Sequence, residues 1–145
     1  MSRSESPAAA RQVIVVDDDP GLRTLFIAIL ERKGFTVDVA PDGRAAFSQI
    51  SRTAYSVILL DLMMPDVNGF ELLGRLAREC PSLLPRVIVM TGAVRRVVQT
   101  LDTSRIWGLV RKPFDLDDLV DAVMACSDGR PRIPPPVSRA PKQLR

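Results

Sequence analysis

The chain has no histidine and only two cysteines in its 145 residues. Without imidazole, a metal centre here would rest on oxygen donors. Cys80 and Cys126 stand in helical-looking stretches with no partner at metal or redox spacing, so both read as reduced, packed thiols. Aromatic residues are scarce, at 5%, and scattered. The mixture of basic and aromatic side chains that marks a nucleic-acid surface is therefore missing, and no direct nucleic-acid contact is expected. No apolar run approaches the roughly 20 residues of a membrane helix. Met1 to Ala10 contains no apolar segment of the kind that forms a secretion signal. A cytoplasmic protein with no membrane contact is the expectation.

What is present is ordinary for a folded domain: 46% hydrophobic and 26% charged residues. The length allows one domain with a full core and a tail. The net charge of +3 is unevenly divided. From Ser127 onward Arg130, Arg132, Arg139, Lys142 and Arg145 face only Asp128, a surplus of four positives that leaves the rest of the chain at minus one. The same tail carries Pro131, Pro134, Pro135 and Pro136, which suit neither a helix nor an inner strand, so it reads as extended, disordered and solvated. The division expected is a flexible leader over 1–11, a domain over 12–126 and a basic, proline-rich tail over 127–145.

Within the domain, short apolar runs alternate with helical periodicities. Val13 to Val16, Phe35 to Val39, Tyr55 to Leu60, Val87 to Met90 and Leu109-Val110 read as strands. Between and after them come helices carrying Leu22, Phe26 and Ile29, then Ala46 and Ile50, then Leu72, Leu73 and Leu76, then Val94, Val97 and Leu101, and finally Leu119, Val120 and Val123. The second strand alternates with Thr36 and Asp38, which places it nearer an edge. Five strands alternating with five helices predict a doubly wound α/β fold of flavodoxin-like (βα)5 type, with a parallel sheet in the order 2-1-3-4-5.

Four of the five strands end on a polar group. Asp17 and Asp18 close the first, Asp61 the third, Thr91 the fourth and Lys112 the fifth. In such sheets ligands bind beyond the carboxyl ends of the strands, at the switch point, so these side chains are expected in one crevice. Taken singly, an acid or Thr91 could cap a helix and Lys112 could be a solvated lysine. Their joint occurrence at successive strand ends favours a site. Three carboxylates repel unless a cation joins them, and oxygen-only donors suit Mg2+. Cation, ammonium and hydroxyl together suit a phosphoryl group, with Asp61 as nucleophile.

Val15-Val16-Asp17-Asp18, Asp61 with Met64-Pro65-Asp66-Val67-Asn68-Gly69, Val89-Met90-Thr91-Gly92 and Arg111-Lys112-Pro113-Phe114 resemble the receiver domain of bacterial two-component response regulators. The resemblance spans about Gln12 to Cys126. It implies that Asp61 accepts phosphate from a histidine kinase or phosphotransfer protein. It implies that Asp17, Asp18, Asp61 and the backbone carbonyl of Met63 hold Mg2+, that Thr91 binds the phosphoryl group, that Lys112 pairs with it, and that the Lys112-Pro113 bond is cis. Phosphorylation would then switch the surface of the fourth helix, fifth strand and fifth helix for contact with a downstream protein, relay of the phosphate, or a phosphorylation-dependent homodimer. No independent turnover of a substrate is expected.

Two positions depart from the family pattern. Leu109 stands where a Tyr or Phe is usual, so either Leu109 repacks on activation or Trp107 substitutes for the ring. Met63 and Ala93 occupy positions that tune phosphate loss, and neither can orient a water, which predicts slow self-dephosphorylation. Two other functions fit parts of the pattern. An aspartate-nucleophile phosphohydrolase would use Asp17 and Asp19, but no segment is inserted to enclose a substrate and the Asp61 stretch would go unused. A receiver-like binding module independent of phosphate would not need its acids, Thr91 and Lys112.

Overall fold

The computed structural model describes residues 11–62, 69–92 and 104–131. Five strands form one all-parallel sheet: β1 (Gln12–Val16), β2 (Thr36–Ala40), β3 (Val57–Asp61), β4 (Val87–Thr91) and β5 (Gly108–Arg111). Their order is β2-β1-β3-β4-β5, the doubly wound arrangement expected from the alternation of elements. The helices are α1 (Pro20–Arg32), α2 (Gly43–Arg52), α3 (Gly69–Glu79) and α4 (Leu116–Ser127). The helix expected over Ala93 to Thr103 lies outside the described residues, so α4 is the one read as fifth in the sequence. Residues 1–10 of the expected leader, and the tail from residue 132, lie outside them as well. The fold extends past residue 126, where a disordered tail was expected to start: Ser127 closes α4, Arg130 N–H donates to Ala125 O at 2.9 Å, and Asp128 lies 3.7 Å from Arg11.

The two faces of the sheet follow from side-chain alternation. Ile14, Val16, Ile58, Leu60, Val87 and Val89 point to one side, where Ala46 and Ile50 of α2 and Leu72, Leu73 and Leu76 of α3 cover them. Val13, Val15, Val57, Leu59, Ile88 and Met90 point to the other, against Phe26 and Leu30 of α1 and Leu119, Val120 and Val123 of α4. Each such fully buried aliphatic side chain contributes about 1.5–3 kcal/mol. Every residue of β3 and β4 is buried, whereas β2 on the outside is buried only at Ala40. This is why β2 tolerates Thr36 and Asp38 and the central strands carry no polar residue before their last.

Each helix start that precedes the site is capped by an acid. Asp19 accepts from Gly21 N and Leu22 N ahead of α1, with Pro20 in the first turn, where its missing N–H costs nothing. Asp42 accepts from Ala45 N for α2, and Asp115 accepts from Asp117 N for α4. Gly34 ends α1 at φ 93°, a backbone conformation that favours glycine.

Some boundaries differ from the sequence reading. Tyr55 is not in β3: its ring is buried ahead of the strand and its hydroxyl donates to Asp38 Oδ2 at 2.6 Å. A short 3-10 helix, Pro81–Arg86, for which the sequence reading named no element, joins α3 to β4. Its two prolines disfavour a longer α-helix, and its Leu84 is buried. Among the described residues no helix is long and apolar enough to cross a membrane.

Candidate functional site

β1 and β3 are neighbours at the centre of the sheet, with Val16 opposite Leu60. Asp17 follows the last residue of β1 and Asp61 is the last of β3, so the two acids emerge side by side at the carboxyl edge. Asp18 joins them. One carboxylate oxygen from each of Asp17, Asp18 and Asp61 lies within 4.8 Å of the others. Asp17 and Asp61 are buried and Asp18 is exposed, which leaves the cluster one open side.

Lys112 follows β5 and reaches back over β4. Its Nζ lies 3.3 Å from Asp61 Oδ2, within hydrogen-bond reach, and 4.0 Å from Asp17 Oδ2. Its main-chain N–H donates to Thr91 O at 2.8 Å, which ties the end of β5 to the end of β4. The Lys112–Pro113 bond is cis. Thr91, the last residue of β4, is buried beside this crossing. Met63 and Ala93 lie outside the described residues, as do Pro65 to Asn68.

Asp17 is held from several directions. Its N–H donates to Ala40 O at 3.1 Å, and its C=O accepts from Arg23 Nη1 at 2.7 Å. One carboxylate oxygen, Oδ1, accepts from Asp19 N at 2.8 Å. The other, Oδ2, is buried with no hydrogen-bond partner. Burial therefore pushes the Asp17 carboxyl above its ordinary value of 3.8; the Asp19 N–H opposes this, Asp61 adds to it, and Lys112 opposes it. A buried carboxylate oxygen without a donor is costly, and a cation at this point would offset that cost. Three carboxylates and no nitrogen or sulfur donor match a hard divalent ion such as Mg2+. The residues present fit such an ion.

The local hydrogen bonds divide the three consecutive acids by task. Asp19 caps α1 and points away to Gly21 N and Leu22 N. Asp17 and Asp18 face the crevice. The Asp17 and Asp19 spacing that suggested a hydrolase thus belongs to one crevice acid and one cap.

Two residues at the site were missed in the sequence. Arg23 was unremarked, although an arginine one turn into a helix that follows an acidic strand end can reach back to that end. Gly69 stands in the motif after Asp61, but its contact with the strand end has no local signal. In the structure it opens α3 against the end of β3: its N–H donates to Leu62 O at 2.9 Å, and a Cβ there would overlap the main-chain oxygen of Asp61 and the Cα of Leu62. Only glycine allows this approach.

Trp107 is elsewhere. It precedes β5, its N–H donates to Val87 O at 2.9 Å, and its indole Nε1 donates to Arg130 O at 2.8 Å. It therefore lies at the opposite edge of the sheet from Lys112, lining a cavity of about 600 Å³ with Tyr55, Arg86, Cys126 and Arg130. This is far from any place where its ring could follow Thr91. Leu109, in β5, is half-buried against the face covered by α2 and α3. Cys80 and Cys126 are free thiols, and burial pushes Cys126 up to about 12.

A doubly wound parallel sheet with acids at its switch point defines the flavodoxin-like α/β class. Within that class the chain belongs to the response regulator receiver domain family, whose model matches residues 13–124. It is 33% identical over 136 residues to the transcriptional regulatory protein TcrA of Mycobacterium tuberculosis, covering 89% of this chain and 51% of that protein. The chain thus spans about half the length of this curated relative. It is 35% identical over 117 residues to an uncharacterised 14.6 kDa protein of Leptolyngbya boryana, covering 79% of this chain and 88% of that one. Among solved structures, the receiver domain of Francisella response regulator 1452 superposes with a TM-score of 0.72 at 28% identity, covering 82% of this chain and 98% of that one. Response regulator TrrA of Thermotoga maritima, solved with Mg2+-BeF, gives 0.70 at 27% identity, covering 80% and 98%.

Proposed function

We propose that Asp61 is the phosphoacceptor of a signalling switch, charged by a histidine kinase or phosphotransfer protein in the presence of Mg2+. The observation that carries this reading is the contact between Lys112 Nζ and Asp61 Oδ2 at 3.3 Å, beside Asp17 and Asp18. An Asp61 oxygen attacks the phosphorus of a phosphohistidine. The P–N bond breaks, the imidazole leaves with a proton, and an aspartyl phosphate remains. Lys112 follows the charge from the carboxylate to the phosphoryl oxygens, and the Thr91 hydroxyl donates to one of them. Asp17, Asp18, Asp61 and the Met63 carbonyl would hold a divalent ion, which would supply further neutralisation of the phosphoryl charge. The Mg2+-BeF complex of the Thermotoga relative supports this reading by likeness.

In this reading the working unit is the 12–126 domain, with Ser127 completing α4 and Arg130 packed against it. The phosphate draws Thr91 inward and reshapes the surface shared by residues 93–103, β5 and α4, with Leu109 rather than an aromatic ring repacking beneath it. Output passes by protein contact in the cytoplasm, through a downstream protein, phosphate relay or a homodimer. Self-hydrolysis is slow in this reading, because neither a methionine nor an alanine, the residue types at Met63 and Ala93, can orient an attacking water.

The test is incubation with acetyl phosphate and Mg2+, followed by intact mass. The wild type should gain one phosphate and Asp61→Asn none. Equal labelling of both would remove Asp61 from this role, and turnover of a phosphate ester would point to a hydrolase instead.

A further inference from the structure

We propose that Arg23 is a positioning residue for the acid cluster: it holds the main chain of Asp17 so that the Asp17 carboxylate presents Oδ2 to a divalent cation. The inference rests on the reading of Asp17, Asp18 and Asp61 as a cation site.

Asp17 stands one residue past β1, where the ladder no longer constrains its carbonyl. On its amino side the ladder still acts, through the bond from Asp17 N to Ala40 O at 3.1 Å. On its carbonyl side the guanidinium of Arg23 replaces the ladder, donating Nη1 to Asp17 O at 2.7 Å. Asp19 N then occupies Oδ1 at 2.8 Å. With the peptide pinned at both ends and one carboxylate oxygen taken, the remaining oxygen has one direction left. That oxygen is Oδ2, which is buried and without a hydrogen-bond partner and lies 4.0 Å from Lys112 Nζ, the group that also reaches Asp61; Asp17 offers one carboxylate oxygen to the cluster with Asp18 and Asp61.

The anchor itself is rigid. Arg23 sits in the first turns of α1, its N–H bonded to Asp19 O at 3.0 Å, and that turn is capped by the Asp19 side chain. Strand end, cap and guanidinium thus form a closed loop of hydrogen bonds only seven residues long, Asp17 to Arg23. Among the described residues Arg23 has no ion-pair partner, so its charge is not spent on another carboxylate. A charged donor to a carbonyl is among the stronger hydrogen bonds available to a main chain. Groups that orient metal ligands in this way typically change metal affinity by about 10–100-fold when removed.

The experiment measures Mn2+ binding to the full chain by the electron paramagnetic resonance of free Mn2+, alongside melting temperature in EDTA. Arg23→Ala should weaken Mn2+ binding by about tenfold, and Arg23→Lys, which keeps a charged donor on a long stem, should recover most of it. An Arg23→Ala affinity within about twofold of wild type overturns the proposal, whatever the melting temperature does. So does an Arg23→Lys variant as weak as Arg23→Ala. If Arg23→Ala does not fold, Arg23→Gln, which is too short and uncharged, takes its place under the same criteria. A wild type that binds no Mn2+ sinks the cation reading itself, and this inference with it; binding by the wild type with no effect of Arg23 sinks the inference alone.

Discussion

Lys112 and Asp61 are 51 residues apart in the chain, yet the lysine ammonium lies 3.3 Å from the aspartate Oδ2. The contact spans β4, which lies between the strands that carry the two residues. Replacing Lys112 with Ala removes the cation that would follow the charge onto a phosphoryl group. Labelling of Asp61 by acetyl phosphate should slow by about 100-fold, the scale for loss of one transition-state charge partner. An unchanged labelling rate, read by intact mass over time, would exclude Lys112 from the chemistry.

Asp17 is the acid with the buried oxygen that has no hydrogen-bond partner. Without cation, Asp17→Asn should stabilise the fold, because the amide that replaces Oδ2 is neutral and can donate to the neighbouring carboxylates. The gain should be about 1–3 kcal/mol, the cost of an unsatisfied buried acceptor. Addition of Mg2+ should raise the melting temperature of wild type and not of the variant. Thermal scans with and without EDTA measure both effects, and an equal response of both proteins to Mg2+ would refute the assignment.

Gly69 packs its Cα face on the main chain of Asp61 and Leu62. Gly69→Ala forces a methyl against backbone atoms that cannot turn aside. A loss of about 1–3 kcal/mol is expected from such overpacking, together with poorer labelling of Asp61. A urea midpoint equal to that of wild type would show that α3 moves freely away from the strand end.

Tyr55 gives a pH dependence. Burial, followed by its hydrogen bond to Asp38, pushes its hydroxyl from 10.0 to about 12. Between these values the folded chain keeps a proton that the unfolded chain releases. Stability from this group is therefore complete below the unfolded value and falls as pH rises towards the folded one. Tyr55→Phe lacks the titration and also the hydrogen bond to Asp38. It should be less stable than wild type by about 1 kcal/mol at neutral pH, with the difference shrinking above pH 10. Urea titrations across the alkaline range read this, and a difference that stays constant with pH would contradict the assignment.

The elements were legible because their signals are local. Short apolar runs, the acids before α1, α2 and α4 and the glycine after Lys33 report backbone preferences within a few residues. The polarity of Thr36 and Asp38 marked β2 as an outer strand, and the sheet order agrees. Contacts that cross the fold left no local mark. Tyr55 looks like the start of a strand, but its hydroxyl is bound to an acid 17 residues earlier. Trp107 looks like a candidate for the switch, but it stands two residues before Leu109, which takes it to the other end of β5 and into a bond with Arg130. The division among Asp17, Asp18 and Asp19 was equally hidden, since three like residues in a row differ only in where the turn aims them.

The amino-acid sequence by itself determined that Asp17, Asp61 and Lys112 fall at or just past the ends of β1, β3 and β5, because a carboxylate or an ammonium is costly to bury mid-strand between two apolar layers. Tertiary structure decided which of those ends meet. The parallel order β2-β1-β3-β4-β5 sets β1 beside β3 and brings their acids within 4.8 Å, and only that packing leaves Asp17 Oδ2 without a donor and Gly69 without room for a side chain. Proximity between distant residues is a property of the crossovers and the layers they cover, and no single stretch of chain contains it.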